Sequence, residues 1–468
     1  MKQVLTRASF IICLSVISLS GGALATILEP IVALGAFLAT FMLVAVLISA
    51  KARILATAGG ALLVFQAPGD EAKIAYLGLL IVCLMVAARN LARSDDRVSL
   101  QAFRPMLTAT VAVLALLAFS YLNATTNQIA PIDWFRDALG YFLILALPLV
   151  GLEASQHLSR RWLMTTLTVL GLVAAVGLAL DWLGRRGAAS TERVVLATAT
   201  FTLLALAFVA VKAGLGPKRI RWMVALVVIV GSLVATGSRT NALLLVMVLV
   251  GIVGAQRRAR VPLPRIILLG GVFALVAVYF STFLSDSGLV EANFFTNRLR
   301  ALTDAAGGGL SQDQSFLARE YSYRLAQKRW EASPWLGGAP GYIYRPSGLY
   351  TLDTPWMVPA KFGVVGTALL LGYLLTVARC VRRLATRTVA PEFTAARGWM
   401  LAMIALTPFG PWIEDKGTGI ALMMIVAIAV AVTRDDGAMR SGSPSPSASP
   451  ELNTSSPDSR PRSVRSST

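Results

Sequence analysis

The sequence of 468 residues has little charge, few cysteines and almost no histidine. Charged residues make up 14% of the chain, against about 25% in soluble domains, which excludes an ordinary soluble globular protein. Its three cysteines lie in or beside apolar segments, so they cannot supply a disulfide framework or a thiolate metal cage. The single histidine, His157, cannot form a histidine cluster, and we interpret it as a surface residue. We predict no metal site and no cofactor.

Apolar residues, in contrast, make up 56% of the chain, and the mean hydropathy is +0.68. Uncharged segments long enough to cross a hydrocarbon layer of about 30 Å as helices recur throughout. The sequence therefore predicts an all-α polytopic membrane protein with about 12 to 14 transmembrane helices. The candidate spans are residues 8–28, 30–50, 54–69, 74–88, 105–122, 138–152, 162–180, 194–211, 222–256 as two helices, 266–285, 356–378, 398–413 and 417–433.

The formal charge of +19 is explained by membrane orientation. With the N-terminus in the cytoplasm, alternating spans place 28 of the 43 Lys and Arg residues on the inner side, as the positive-inside rule requires. A nucleic-acid surface is not needed to account for the excess. The first span contains Ala23-Leu24-Ala25, which resembles a signal-peptidase site, and both cleavage and retention of this span stay open.

Residues 286–355 form the one large hydrophilic segment, which the alternation places outside the membrane. It contains seven basic, seven acidic and ten aromatic residues, a balance that favours a folded surface structure over a linker. Residues 316–332 are predicted to form a helix, followed by Pro334 and a glycine-rich turn. The predicted organisation is residues 1–285 with about eleven helices, the loop 286–355, residues 356–433 with about three helices, and a disordered cytoplasmic tail over 434–468.

Arg239 is the only charge in the apolar block of residues 222–256. As one helix this block would be about 50 Å long, so we predict two helices joined near residues 237–241, with Arg239 on the outer side. A charge in such a hairpin is costly and is usually retained for a partner or a pathway, and a guanidinium suits phosphate oxygens. An interfacial arginine that reaches lipid headgroups is the alternative.

The predicted loop helix contains Arg319, Arg324, Lys328 and Arg329. Arg324 and Lys328 lie one turn apart, and such a face could clamp a diphosphate. Glu320 precedes Arg324 by four residues, however, so an ordinary salt-bridged helix face is an equal alternative.

Aromatic residues follow this helix and have two interpretations as well. Trp330, Trp335 and Tyr342 could stack on sugar rings, or they could anchor the loop at the membrane boundary.

A general base for a sugar hydroxyl would have to be an outward carboxylate or the phosphate itself, because no outward histidine is predicted. The spans themselves are nearly free of ionisable residues, which argues against an ion-coupled transporter. Lys361, near one helix end, is the exception, and we expect it to snorkel to the membrane surface. The candidate outward acids are Asp313, Glu320, Glu331, Asp353, Glu414 and Asp415.

Three motifs in order resemble the bacterial O-antigen ligase and polymerase superfamily, which includes exopolysaccharide polymerases. Thr236-Gly237-Ser238-Arg239-Thr240 resembles its (T)GSR(T/G) turn, and Arg324 with the run from Pro334 to Tyr342 resembles its arginine and P-x-x-G-x-G-x-G segment. The third match is Asp353 to Trp356 followed by Phe362 to Gly366. Ligases of the family carry a histidine where this chain has Asp353, so the resemblance is to a polymerase-like member.

The resemblance implies a helical bundle like that of GT-C glycosyltransferases, located in the bacterial cytoplasmic membrane with both termini inside. It implies metal-independent transfer of glycan from an undecaprenyl-diphosphate-linked oligosaccharide to a saccharide acceptor, with Arg239 and Arg324 on the diphosphate and Asp353 as a further catalytic candidate. Chain-length regulators and flippases are candidate partners. The substrate-binding candidates are Arg319, Lys328, Trp330, Trp335, Tyr342 and Glu414. A membrane transporter or flippase for lipid-linked glycans is the alternative.

The predicted orientation can be tested with one engineered cysteine. Because Ser311 lies in the hydrophilic loop, Ser311→Cys should react with a membrane-impermeant thiol reagent added to intact cells from outside. Labelling that occurs only after the cytoplasmic side is made accessible would invert the predicted topology.

Overall fold

The computed structural model describes residues 40–64, 70–94, 97–185, 199–215, 219–235, 314–344, 354–387, 390–407, 410 and 412–441, together with 245, 246, 248, 250, 252 and 352. Several predictions fall outside these residues. They are the first span and its Ala23-Leu24-Ala25 site, the span 266–285, the turn that contains Arg239, the first part of the outer loop including Ser311 and Asp313, Asp353, and the tail beyond residue 441.

The described chain is built from helices. Helices α1 to α4 are Ala50–Val64, Asp70–Ala92, Arg97–Thr126 and Pro131–Ser155, and α5 to α7 are Arg160–Arg185, Ala199–Leu215 and Arg219–Ala235. Helix α8, Gln314–Ala332, belongs to the hydrophilic segment 286–355, which we call the outer loop after its predicted orientation. Helices α9 to α11 are Met357–Arg387, Pro391–Leu406 and Lys416–Ser441, with a single 3-10 turn at Trp412–Glu414 before α11. Residues 40–48 are helical as well.

The predicted fold class, an all-α polytopic membrane protein, is confirmed. Helices account for 88% of the structure, with no strands in the described part of the chain. Five helical segments there are long and apolar enough to cross a membrane: Ala75–Ala92, Gln101–Thr126, Pro131–Ser155, Met357–Thr386 and Lys416–Asp436. Helix α8 also lies where the sequence predicts it.

Helices α4 and α11 form the centre of the bundle. Each is 89% buried over its apolar segment, whereas the segments in α2 and α3 are 28% buried. Glycines permit the close approach of the two central helices, because a Cβ at Gly419 would lie 2.7 Å from the Leu143 carbonyl, and one at Gly151 would overlap the Met423 carbonyl. Small residues at such contacts let helix backbones pack in an apolar solvent, where burial alone gives little driving force.

The helices extend beyond the uncharged segments used to predict them. The span predicted at 138–152 is observed as α4, Pro131–Ser155, because helical hydrogen bonding continues into residues whose charges find partners. The span predicted at 398–413 is displaced: α10 runs from Pro391 to Leu406. Pro391 suits the first helical position, and Pro408 in the sequence has no N–H with which to continue the helical hydrogen bonding.

One end of the bundle, which we call the basic end, is held by charged side chains that join distant helices. Arg53 pairs with Glu153, its Nε donating to Oε2 at 3.0 Å. Glu392 of α10 accepts from Arg160 at 2.7 Å and Lys212 at 2.8 Å. Arg434 of α11 donates to the carbonyls of Ser155, Gln156 and Leu158, which the end of α4 leaves without helical donors.

At the opposite end, which we call the loop end, the outer loop packs onto a break in α9. Gly363 has a left-handed φ of 63° and interrupts the helix. The N–H of Val364 donates to the Pro334 carbonyl at 2.9 Å, and the Ala360 carbonyl accepts from Gly338 N–H at 2.8 Å. The loop therefore satisfies backbone groups that the helix break releases, as a broken helix in an apolar bundle requires.

This packing predicts a specific intolerance at Gly363. A Cβ there would overlap the Trp335 carbonyl and would sit at a positive φ, so Gly363→Ala should destabilise the protein by about 2 kcal/mol or more. Gly372→Ala in the same helix is the matched control, because a Cβ there meets nothing within 4 Å. Thermal unfolding of the purified protein should show a lower Tm for Gly363→Ala only, and equal Tm values would contradict the described break.

Candidate functional site

The basic face of α8 is exposed at the loop end. The Arg324 side chain is 72% exposed, and its Nη2 donates to Glu320 at 2.6 Å. Lys328, one turn further on, is exposed as well. The structure thus contains the i,i+4 ion pair of the salt-bridged alternative, while it leaves the outer side of the same face open to solvent. The role of Arg324 and Lys328 in binding stays a prediction.

The three aromatic candidates differ in their surroundings. Trp330 is half-buried: it packs against Trp356 at a centroid distance of 4.9 Å, and its Nε1 donates to the Pro334 carbonyl. Trp335 is 68% exposed and Tyr342 is 44% exposed. Trp330 therefore holds the helix to the loop, while Trp335 and Tyr342 present rings to the surface.

Two of the predicted catalytic residues, Arg239 and Asp353, lie outside the described residues, so their positions relative to Arg324 are not part of this geometry. Arg319 belongs to helix α8.

A charged cluster is buried beneath the loop. Lys361 Nζ lies 2.6 Å from Asp137 Oδ1 and 2.7 Å from Glu414 Oε2, and Tyr141 donates its hydroxyl to Glu414 Oε1 at 2.6 Å. The side chains of Lys361, Asp137 and Glu414 are 2%, 3% and 8% exposed. The expectation that Lys361 snorkels to the surface is wrong. Two carboxylates compensate its charge inside the bundle, so it has no need to reach water.

This cluster also corrects the statement that the spans are nearly free of ionisable residues. Asp137 lies in α4 and Lys361 in α9, each within two turns of the helix end. Asp137 lies just outside the uncharged segment 138–152, so a count of charges inside the predicted spans does not register it, whereas Lys361 lies inside the predicted span 356–378.

Arg329 is the most constrained cation of the loop. Its Nη2 donates to the carbonyls of Gly338 and Ala339, and its guanidinium lies 3.8 Å from the centroid of the Tyr342 ring. Both bonds use Nη2, and Nε is buried without a partner in the part of the chain that is described. Burial lowers the pKa of Arg329 below its usual value, and the phenol of Tyr344 nearby has a pKa raised by burial to about 12.

Sequence reasoning missed Asp137 and Tyr141 and gave Arg329 no role. Asp137 immediately precedes the uncharged segment of α4 and follows Asp133 by one turn, so its place on the same outer side as Glu414 was readable. Nothing in the sequence shows that Arg329, and not its neighbour Lys328, turns toward the glycine run. That choice depends on how the loop packs on the bundle.

Asp415 joins two helices at the loop end. Its Oδ1 accepts from the N–H of Gly417 at the start of α11, and its Oδ2 accepts from the N–H of Thr200 at the start of α6. One carboxylate thus accepts hydrogen bonds from backbone N–H groups at the N-termini of two helices, where these groups have no acceptor within the helix. Burial raises the pKa of the Asp415 carboxyl to about 6, although these hydrogen bonds act in the opposite direction.

The geometry at the loop end can bind an anion beside a saccharide. Arg324 and Lys328 are exposed on α8, Arg329 stacks on the ring of Tyr342, and the rings of Trp335 and Tyr342 are exposed in the segment that follows the helix. Guanidinium groups bind phosphate oxygens through paired donors, and exposed aromatic faces can pack against the apolar faces of sugar rings.

No protein-family model and no curated protein matches the chain, so membership of the O-antigen ligase and polymerase superfamily stays a prediction. The chain is similar to one from a solved structure described as "Structural coordination of polymerization and crosslinking by a peptidoglycan synthase complex". The identity is 19%, the match covers 70% of this chain and 97% of that chain, and the TM-score is 0.36. A TM-score this low supports no argument about function.

The pKa of Asp415 predicts a pH-dependent contribution to stability. Because the folded-state pKa of about 6 lies above the ordinary value of 3.8, the fold favours the protonated acid, and its contribution to stability declines as pH rises from about 4 to about 6. Asp415→Asn imitates the protonated acid, so its Tm relative to the unmodified protein should rise over this range. A Tm difference that does not vary with pH would contradict the raised pKa. Asp415→Ala should lose about 1–2 kcal/mol at about pH 4, because both caps are removed, and less as pH rises toward about 6.

Proposed function

We propose that this chain is an integral membrane glycosyltransferase that transfers or polymerises saccharide units carried on undecaprenyl diphosphate. Its site is the loop end of the bundle. One observation supports this most directly: the loop, which packs on the broken helix α9 of an apolar bundle, stacks the guanidinium of Arg329 on the exposed ring of Tyr342 and carries the exposed cations Arg324 and Lys328 in the adjoining helix. A polyprenyl-diphosphate sugar has three parts that this end of the protein could bind: a lipid chain for the apolar bundle, a dianionic head for the cations and a saccharide for the aromatic rings.

In the proposed reaction the acceptor hydroxyl oxygen bonds to the anomeric carbon of the donor, and the bond from that carbon to the diphosphate oxygen breaks. Negative charge grows on the leaving diphosphate, and preorganised guanidinium groups stabilise it. We assign this role to Arg239 and Arg324, with Arg329 as a third cation fixed by its loop contacts. The hydroxyl proton passes to a carboxylate, for which Asp353 is our candidate.

The remaining candidates bind the substrate in this proposal. Lys328 extends the basic face of α8, Arg319 is a further cation of the same helix, and Trp335 and Tyr342 contact saccharide. Trp330 and Glu414 contribute through the packing described above. Neither a metal ion nor a cofactor has a role in the proposed reaction. The chain is proposed to act in the bacterial cytoplasmic membrane with the loop end outside.

A transporter or flippase of lipid-linked glycans is the second candidate, and the buried charges Asp137, Lys361 and Glu414 favour it. Coupling sites of transporters lie near the bilayer midplane, whereas Asp137 and Lys361 are each within two turns of a helix end. Their position at the edge of the bundle suits a site at the membrane surface better than a central ion pathway.

The proposal predicts the effect of removing each cation. Arg239→Ala, Arg324→Ala and Arg329→Ala should each reduce transfer at least about 10²-fold, as loss of one preorganised donor does elsewhere. Arg239→Lys should also be impaired, because an ammonium cannot reproduce the paired donors. Arg104→Ala, an exposed arginine far from the loop in sequence, is the control and should have normal activity.

The measurement is the size distribution of products formed by the purified protein from a defined undecaprenyl-diphosphate oligosaccharide. Normal product lengths in the three loop-end variants would remove the proposed mechanism. If liposomes containing the protein moved the lipid-linked glycan across the membrane without forming product, the transporter would be the better assignment.

A further inference from the structure

Lys361 contacts the outer loop and the buried carboxylates at the same time. Its backbone carbonyl accepts from the N–H of Ala339 at 3.0 Å, and its Nζ pairs with Asp137 and Glu414. The second oxygen of Asp137 accepts from the N–H of Gly341 at 2.7 Å. The residues that bury the charges therefore also hold the glycine turn, by which we mean residues 337–341.

The two ends of this turn have different attachments. Asn123 Nδ2 donates to the carbonyl of Gly337 at 2.9 Å, which fixes the beginning. The end is fixed by Asp137, which binds Gly341, a residue with a φ of 92°. A Cβ at Gly341 would lie 2.5 Å from the backbone nitrogen of Trp134. The turn thus lies directly on the start of α4. A small shift of the Asp137 carboxylate there would move Gly341 and the backbone that leads to Tyr342.

The ammonium of Lys361 determines whether Asp137 can keep this position. Asp137 and Glu414 share one ammonium and are almost fully buried, so without it their charges would stand close together in an apolar surrounding. Such a pair must repel, take up a proton or admit water. Repulsion or water entry displaces Asp137 and proton uptake reduces its charge, so each of these outcomes weakens the hydrogen bond that Asp137 accepts from the N–H of Gly341.

We propose that Lys361 is a positioning residue: by holding Asp137 against Gly341 it sets the glycine turn, and through the turn it sets Arg329 and Tyr342. Arg329 binds the carbonyls of Gly338 and Ala339 and stacks on Tyr342, so it moves with the turn. The docking of the turn does not depend on what the protein does. The effect of this docking on glycan transfer rests on the proposed function.

Hydrogen–deuterium exchange of the purified full-length protein measures this docking directly. The amides of Gly338, Ala339 and Gly341 all donate to groups of α4 or α9, so a peptide covering residues 334–344 should be protected. In Lys361→Met its exchange should rise roughly tenfold or more, while a peptide from the centre of α4 keeps its protection. Lys51→Met, an exposed lysine of α1, is the matched control and should leave both peptides unchanged.

A neutral triple variant separates positioning from a general loss of folding. Lys361→Met combined with Asp137→Asn and Glu414→Gln removes the uncompensated charges, while Asn can still accept from Gly341. This variant should regain most of the protection in residues 334–344. If Lys361→Met does not fold, the triple variant decides alone: protection of the turn supports the proposal, and a turn that exchanges freely on an otherwise protected bundle overturns it.

Two further results would overturn the inference. One is unchanged protection of residues 334–344 in Lys361→Met. The other is equal loss of protection in the turn and in α4, with no recovery in the triple variant, because that pattern describes a general stabiliser.

The transfer assay tests the functional part separately. The donor KM should rise about tenfold in Lys361→Met and recover in the triple variant, as expected when a binding surface is displaced. If the exchange results are as expected but the unmodified protein does not transfer glycan, the proposed function is wrong and the positioning role of Lys361 stands. Expected exchange results with an unchanged KM in an active enzyme would remove the link between the turn and the donor.

Discussion

The burial of a lysine between two carboxylates is the constraint on which the loop end depends. An apolar bundle tolerates a charge only when that charge is paired and hydrogen-bonded, and Lys361 meets this condition with groups from three parts of the chain. Asp137 comes from α4, Glu414 from the turn before α11, and the glycine turn binds the same residues through its backbone. The cluster therefore fixes how the central helices, the broken helix α9 and the outer loop meet.

The two ends of the bundle use charge in different ways. At the basic end, Arg53, Arg160 and Lys212 pair with buried acids and Arg434 binds the last carbonyls of α4, so these donors are used within the fold. At the loop end, Lys361 and its two carboxylates are buried together, while Arg324 and Lys328 are exposed to solvent. Because about 24 Å of helix separates Asp137 from Glu153 in α4, the two sets of buried charges do not contact each other.

The fold class and the helix of the outer loop could be predicted because hydrophobic length and helical pattern are local properties. The predicted helix ends were less accurate than the helices themselves, as α10 shows. Charged residues such as Glu392 extend a helix when distant residues of opposite charge pair with them. The pairing of Lys361 with Asp137 and Glu414 could not be read from the sequence, since the residues are separated by 224 and 53 positions and no pattern links them. Likewise, the sequence marks the glycine run, but its role in completing the broken helix at Gly363 depends on tertiary contact.

We propose that glycan is transferred from its diphosphate carrier at the loop end. An experimental structure of the protein with a bound undecaprenyl-diphosphate oligosaccharide tests this most directly. We expect the diphosphate to lie beside α8 and the glycine turn, within hydrogen-bonding distance of the guanidinium groups of Arg324 or Arg329. A diphosphate bound at the basic end, near Glu153 or Glu392, would contradict the account.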